Sequence, residues 1–424
     1  MLVAGGRGMI GGAVARRLAA AGHELVHAGR RETDGDGGLR LDFAAPPGYE
    51  ALVERLRGID LVVNAVGIFQ AQGKQSFDAV HVNGPRRLFE AAVGAGVRRF
   101  VHVSALGARA DADTAYFASK GEAEAWLRSL PGRVVVVRPS LVFSPDGAST
   151  RVFLRLATAP LSPLPDGGHQ PVQPIHLDDL ADAIVAAALA DGGPATFDAV
   201  GPRALPLRGY LQALARPLGH HPRFVSVPVR AIAPLLPLAE RLSGGLAGRD
   251  ALRMLQAGNT GDPSALARVL GRLPRDPDDF IGPETAARLR AWLRRRRAVA
   301  AMRLSLAAMW LGTAWVSLYG YPRAASHALL ARLGLHGAWA DLALWSGALL
   351  DAALGLALLA LPRRRRVYQA QLVLVGAYTV LISVWLPEFW LHPFGPLLKN
   401  IPILAMIAAL LVLDHEDDHR PGDG

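Results

Sequence analysis

The chain opens with MLVAGGRGMIGGAVARRLAA, residues 1–20, and the reading of this stretch decides the fold. Leu2, Val3 and Ala4 read as a short strand. Gly5-x-x-Gly8-x-x-Gly11 follows at once, and from Ile10 onward the apolar residues recur at helical spacing. A strand, a glycine turn and a helix let the backbone lie against a pyrophosphate. A side chain at the glycines would hold the anion away, while the free N–H groups and partial positive charge of the helix start attract it. The backbone of Gly5, Gly6, Arg7, Gly8, Met9, Ile10 and Gly11 is the expected cradle. Glycine is abundant, with 45 residues, so the triplet alone also fits an ordinary tight turn; its place between strand and helix favours the dinucleotide site. The first strand is short, as expected if a natural start lies a few residues upstream.

Working outward, residues 1–290 alternate short apolar runs with amphipathic stretches. This is the pattern of strand–helix–strand units, and it predicts an α/β domain with a doubly wound parallel sheet. Strands are expected at 2–4, 24–28, 61–66, 100–104 and 134–138, with helices at 10–21, 77–95 and 116–130. Text rich in proline and glycine from 139 to 174 marks a smaller, less regular region. A further strand at 171–175 leads into a helix with Asp178 as the expected N-cap. Helices with short connectors are expected between 201 and 279.

Charge points to the nucleotide. An NAD site wants an acid at the end of strand two, whereas here Gly29-Arg30-Arg31 ends it and Arg7 lies inside the glycine loop. Guanidinium groups match a 2′-phosphate in shape and charge, so NADP is the expected cofactor, with NAD possible and a merely solvated pair of arginines the bland alternative. Asp34 and Asp36 come too late to be obvious ribose ligands. Asp42, Asn64, Ala65 and Gly67 fall where adenine and ribose would pass, and turn chemistry explains them equally well.

Ser104 follows an apolar strand, and the text then reads Tyr116-Phe-Ala-Ser-Lys120. Tyrosine and lysine at i and i+4 share a helix face. A phenol is a poor acid–base at neutral pH, and an adjacent ammonium is expected to favour the phenolate. The serine hydroxyl can orient a substrate carbonyl. The competing reading is a buried tyrosine beside a surface lysine by accident. Against it, the chain writes arginine almost everywhere, and only Lys74, Lys120 and Lys399 are lysines.

Gly5-x-x-Gly8-x-x-Gly11, the segment 64–67, Ser104 and Tyr116-x-x-x-Lys120 together resemble the extended or atypical short-chain dehydrogenase/reductases. Val137-Arg138-Pro139-Ser140 and His176-Leu177-Asp178-Asp179 match further landmarks on the substrate side. The resemblance covers about residues 1–290 and implies a Rossmann-type fold. It also implies that Tyr116 is the general acid/base, that Lys120 holds the nicotinamide ribose, that Ser104 polarises the carbonyl and that Asn83 completes a proton relay. Ser144 stands where the family often has glycine. The nearest subgroup in kind is the NmrA-like set with the Rossmann-type accessory subunit of respiratory complex I, many of whose members bind the dinucleotide without known turnover.

Composition separates the rest of the chain. Of 424 residues, 51% are hydrophobic and 19% charged, below the roughly 25% of soluble domains. With a mean hydropathy of +0.23, membrane segments are expected. The absence of cysteine excludes disulfides, Cys-ligated metals, iron–sulfur clusters and thiol nucleophiles, and no metal site is expected. A net charge of +10 raises nucleic acid as a partner. Two arginine clusters at 294–297 and 363–366 sit beside apolar runs, however, where the positive-inside rule places them, so no nucleic-acid partner is expected.

Spans are expected at 298–318, 342–361 and 367–386, with a fourth at 401–413 that reaches membrane length if it begins near Phe394. Residues 291–297 form a basic juxtamembrane linker and 414–424 a polar tail. The N-terminus lacks the pattern of a signal peptide. Four spans then put both the N-terminal domain and the tail in the cytoplasm, as a multi-pass protein of the inner membrane. Arg303, Asp351, Glu388, His392, Lys399 and Asn400 are polar residues in or near the spans. They read first as interhelical links and interface anchors, and second as a pocket for a lipophilic, quinone-like substrate. The closing text from Trp390 to Pro402 resembles the end of DoxX-like four-helix membrane proteins, over about residues 298–413. Some relatives of that family associate with quinone-linked redox enzymes.

The expected function is a membrane-tethered, NADP-dependent oxidoreductase acting on a carbonyl or alcohol of a small lipophilic substrate at the lipid bilayer. Two alternatives stay open. One is a non-catalytic NAD(P)H-binding sensor or accessory protein of a quinone-linked membrane redox complex; the other is an epimerase or dehydratase.

Overall fold

The computed structural model describes residues 1–30, 38–71, 73–237, 240, 248–361 and 364–414. The chain divides into two compact units, Met1–Leu289 and Arg290–Arg420.

In the first unit the strands run in chain order as β1 (Leu2–Ala4), β2 (Val26–Gly29), β3 (Leu39–Arg40), β4 (Leu61–Asn64), β5 (Arg99–Val103) and β6 (Arg133–Pro139). Short strands follow: β7 (Val142–Phe143), β8 (Leu161–Pro165), β9 (Pro171–Val172), β10 (Ile175–His176), β11 (Thr196–Ala199), β12 (Leu205–Pro206) and β13 (Arg223–Val227). The helices that matter here are α1 (Met9–Ala20), α2 (Tyr49–Leu56), α3 (Gly84–Gly94), α4 (Ala115–Leu127), α5 (Ala148–Thr158), α6 (Leu177–Leu189) and α7 (Leu207–Ala215).

Seven strands form one parallel sheet in the order β11-β6-β5-β4-β1-β2-β3. The central strands are mostly buried and largely apolar, as a sheet covered on both faces requires. Alternation assigns the faces. Val3, Val63, Val101, Val103, Val135 and Val137 pack against α1 and α6, whereas Leu2, Ala4, Val62, Phe100 and Val136 pack against side chains of α2, α3 and α4. Strand order reverses between β1 and β4, so the crevice of a doubly wound sheet opens at their carboxyl ends.

Some elements differ from expectation. The helix expected over 77–95 begins as a wide, π-helical turn over Asp78–Asn83 before α3 continues it. The strand expected at 171–175 is two short strands in separate pairs, β12-β9 and β10-β7. At α6 the N-cap is His176, whose Nδ1 accepts the Asp178 N–H at 3.1 Å, instead of Asp178 itself. Asp178 and Asp179 lie in the first turn, where negative charge suits the helix dipole. Arg17 and Arg272 hold them at 2.9 and 2.6 Å.

A 33-residue helix, Pro283–Trp315, carries the chain from the first unit into the second. The second unit is helical: Ala338–Ala360, Arg365–Trp385 and Asn400–Leu413 pack with the apolar part of the first helix around Leu306, Trp310, Leu358, Tyr368 and Leu410. Three stretches, Pro283–Gly320, Ala338–Ala360 and Arg365–Trp385, are long and apolar enough to cross a membrane. The fourth helix is shorter than expected. It starts at Asn400, not near Phe394, and its 14 residues rise only about 21 Å. Pro402 has no N–H to bond a preceding turn, and Pro393 and Pro396 interrupt the approach.

Large apolar side chains such as Leu304, Leu349, Val373 and Val412 are exposed on these helices, as lipid-facing residues would be. Trp315, Tyr319, Tyr321, Trp339 and Trp385 are exposed near helix ends, the positions of an interfacial aromatic belt. Most of the polar residues in or near the spans have local partners. Arg303 pairs with Asp414 and Glu388 with Arg332, both at 2.5 Å; Asn400 donates to Thr379 at 2.8 Å; His392 accepts from the Phe394 N–H at 3.3 Å. Asp351 is buried, with one carboxyl oxygen lacking a partner.

Candidate functional site

The glycine turn leaves β1 with its backbone drawn tightly together. A Cβ on Gly11 would lie 2.2 Å from the Gly5 carbonyl oxygen, and one on Gly6 would lie 2.5 Å from His27 Nδ1. Gly5 itself has φ +76°, and a Cβ there would meet the Ala65 and Val66 backbone at 3.1 Å. The turn therefore touches the loop after β4 with nothing between. Gly8 caps α1 without a side-chain hydrogen bond, and the first turn of α1 carries no acid that would repel an anion. Arg7 and Arg30 are exposed near this turn and at the end of β2; Arg31, Asp34 and Asp36 lie outside the described residues.

The loop after β4 is shaped from below by Asn64, which is fully buried. Its Oδ1 accepts the Val66 N–H at 3.1 Å, and its Nδ2 meets His102 Nδ1 at 3.1 Å. Asn64 thus does turn chemistry for Ala65 and Gly67. Asp42 does the same for its own loop, with Oδ1 accepting from the Ala44 N–H at 3.0 Å and Gln75 Nε2 at 3.1 Å.

Gly67 connects this loop to α4. A Cβ there would stand 3.3 Å from the Lys120 ammonium nitrogen, so glycine keeps the space above that charge open. Lys120 is 3% exposed and donates to the Val103 carbonyl at 3.0 Å. Burial lowers its pKa to about 8, with Glu124 pulling the other way. Tyr116 lies one helical turn before it. The phenol ring sits among Phe69, Phe117 and His81, with centroids at 5.3, 5.4 and 5.5 Å.

The ammonium was expected to draw the tyrosine's pKa down. The structure has the opposite direction: burial among aromatic rings pushes Tyr116 up to about 12. Lys120 is engaged instead with the Val103 carbonyl and with the field of Glu124.

Ser104, just past β5, is also buried, and its hydroxyl donates to Glu124 Oε1 at 2.5 Å. Glu124 is 2% exposed and carries Arg138 on its other oxygen, also at 2.5 Å. Tyr116, Lys120 and Glu124 stand at i, i+4 and i+8 on α4, so one stripe of one helix holds all three. Asn83 does not join them. It is exposed, and the inward position on the same wide turn belongs to His81, fully buried two residues earlier. His81 Nε2 accepts the Ile68 N–H at 3.1 Å, which leaves the proton on Nδ1 to donate to Ser119 Oγ at 3.0 Å. Burial, and then the Lys120 charge, lower its pKa to about 2, so it is neutral.

Reading motifs in the sequence missed His81 and Glu124. Glu124 was open to discovery as the next residue of the Tyr116–Lys120 stripe. Nothing local marked His81.

Comparison with known proteins bears on both units. Residues 1–198 match the NAD dependent epimerase/dehydratase family, and residues 307–408 match the DoxX-like family. The mitochondrial NADH-ubiquinone oxidoreductase 40 kDa subunit of Neurospora crassa is 27% identical over 55% of this chain and 64% of its own length. A ceramide reductase of Caulobacter vibrioides is 30% identical over 34% of this chain and 44% of its own. The matched stretches therefore span less than two thirds of either relative. Among solved structures, an Escherichia coli NADPH-dependent quinone oxidoreductase complexed with NADPH superposes on 68% of this chain and 99% of that one. Its TM-score is 0.53 at 16% identity, a likeness of fold.

Proposed function

We propose that this chain, which joins an NAD(P)-binding Rossmann domain of the epimerase/short-chain dehydrogenase type to a DoxX-like membrane domain, is a membrane-tethered oxidoreductase. Its substrate is a carbonyl or alcohol of a lipophilic molecule, and its dinucleotide is NADP. One observation carries the reading: Gly5 abuts the loop at Ala65 and Val66, Gly67 opens over the Lys120 ammonium, and Tyr116 lies one turn away. Anion cradle and acid–base candidate thus share one continuous surface. Glycine at 5 and 11 lets the turn close on itself and on the loop after β4, and Gly67 leaves the space beside the Lys120 ammonium open, an arrangement that suits a dinucleotide lying along that surface.

When bound, the dinucleotide supplies or accepts hydride at the nicotinamide ring. Tyr116 moves the proton at the substrate oxygen. Lys120, with its three donors, holds the ribose hydroxyls and brings positive charge toward the phenol. His81 fixes the Ile68 backbone and Ser119 and so sets the walls around Tyr116. Ser104 meets the carbonyl only after turning from Glu124, a rotation about a single bond. Arg7 and Arg30 support NADP by supplying guanidinium charge for a 2′-phosphate. Arginines beside the apolar spans support a cytoplasmic face for the N-terminal unit.

A second reading, a nucleotide-binding accessory protein without turnover, is favoured by two specific features. The phenol is shifted up to about 12, and the serine hydroxyl is held by Glu124. The name of the Neurospora relative, a 40 kDa subunit of NADH-ubiquinone oxidoreductase, fits it too.

Purified full-length protein titrated with NADPH and NADH, then screened on carbonyls and quinones, separates the two. Tyr116→Phe is expected to abolish turnover and leave NADPH affinity unchanged; full turnover in that variant refutes the assigned role. Arg30→Ala is expected to weaken NADPH and spare NADH, and equal losses would mean the 2′-phosphate is held elsewhere.

A further inference from the structure

Tyr116 stands within a box of rings. Between centroids Phe69 lies 5.3 Å from it, tilted by 52°, and Phe117 lies 5.4 Å away at 63°. His81 stands 5.5 Å away at 83° and Phe77 6.1 Å away at 78°. All four separations fall in the range where tilted and edge-to-face rings attract beyond the area they bury. Three stretches supply the rings: the loop after β4, the wide turn with Phe77 at its entry, and α4. Hydrogen bonding and stacking fix them in place. His81 Nε2 takes the N–H of Ile68, next to Phe69 in the chain, at 3.1 Å, and its imidazole stacks on Phe77 at 5.4 Å. Phe117 lies over Gly107, where a Cβ would meet its ring at 3.4 Å.

The box is not closed off as a core would be. Phe69 is 39% exposed, Phe77, Tyr116 and Phe117 are partly exposed, and His81 is buried. Clustered apolar surface of this kind, beside a polar reacting group, marks a ligand site. The rings around the phenol carry no charge, since His81 is neutral. A polyol would find the Tyr116 hydroxyl and no other polar group on the exposed rings. A saturated chain would bury area there without the ring–ring attraction.

We propose that this box is the substrate's recognition subsite, and that it takes a planar aromatic ring bonded directly to the carbonyl or carbinol carbon. The direct bond matters because a ring lying against Phe69 must leave its oxygen beside a phenol whose centre is only 5.3 Å from that of Phe69. The orientation toward Tyr116 rests on the oxidoreductase reading, whereas binding of the ring is measured without turnover.

Acetophenone and cyclohexyl methyl ketone differ in whether the six-membered ring is aromatic. Their affinities for the full-length protein in detergent are compared by ligand-observed NMR, with empty micelles as the reference. Acetophenone is expected to bind about fivefold more tightly. Phe69→Leu keeps apolar bulk at an exposed position and is expected to abolish that preference. Tyr49→Leu, an exposed ring on α2 outside the box, is expected to keep it. Equal affinity for the two ketones in the unaltered protein, or binding of neither, overturns the proposal. A preference that survives Phe69→Leu overturns it too. Addition of NADPH then separates the two readings. A ring preference with no reduction of either ketone supports the subsite and counts against the oxidoreductase; reduction of both with no ring preference does the reverse.

Discussion

Lys120 is the cation that the fold buries most deeply at the site, and removing its charge has a calculable effect on stability. Its pKa falls from 10.5 to about 8 on folding, chiefly because burial disfavours the charged form. The sign follows from proton counting. Between those values the unfolded chain binds a proton that the folded one does not, so stability rises with pH across that window. Below about pH 8 the full penalty applies, and a shift of this size corresponds to about 3 kcal/mol. Lys120→Met keeps the length of the stem and removes the charge. It also forfeits the hydrogen bond to Val103, worth about 1 kcal/mol. The variant is therefore expected to be more stable than the unaltered protein by about 2 kcal/mol at neutral pH, and the advantage should shrink by about half of the penalty near pH 9. Urea-dependent pulse proteolysis of the full chain, scored on fragments of the N-terminal unit, measures the difference at both pH values. A gap that is the same at both would mean the ammonium is not desolvated, and the account of Lys120 as a tuned, buried cation would fail.

Two further outcomes test the geometry of the site. Gly11→Ala places a methyl 2.2 Å from the Gly5 carbonyl oxygen, so the turn must open; NADPH affinity measured by fluorescence titration is expected to fall by about tenfold or more, and no change would show that the turn does not hold the dinucleotide. Asn83→Ala is expected to leave turnover unchanged because the residue is exposed, whereas His81→Ala should lower kcat by about tenfold with folding intact. Because His81 stays neutral down to about pH 2, it should add no inflection to the pH–rate profile near neutrality, and an inflection lost specifically in His81→Ala would contradict its assigned state.

The parallel sheet was legible because its strands are buried on both faces. Runs such as Leu61–Val63 and Val134–Val137 show as continuous aliphatic text, and the glycine turn fixes where β1 ends. The Tyr116–Lys120 pair was legible for a similar local reason, since a helix puts i and i+4 side by side. What lies across from a helix face is not local. Glu124 reads as one more surface acid until the fold brings Ser104, twenty residues earlier, and Arg138, fourteen later, onto its two oxygens. His81 was hidden by a backbone irregularity. Regular α-helical spacing through 77–95 does not reveal which of His81 and Asn83 faces inward, and the wide turn at Asp78–Asn83 settles it in favour of the histidine. The pKa of Tyr116 failed for a third reason: spacing locates a charge along a helix but not what that charge is bonded to. With Lys120 held by the Val103 carbonyl and flanked by Glu124, burial alone governs the phenol. Lowering the phenol's pKa for catalysis therefore requires the ammonium to be redirected, and of the groups in the proposed reaction, ribose hydroxyls beside Gly67 are the ones placed to do that.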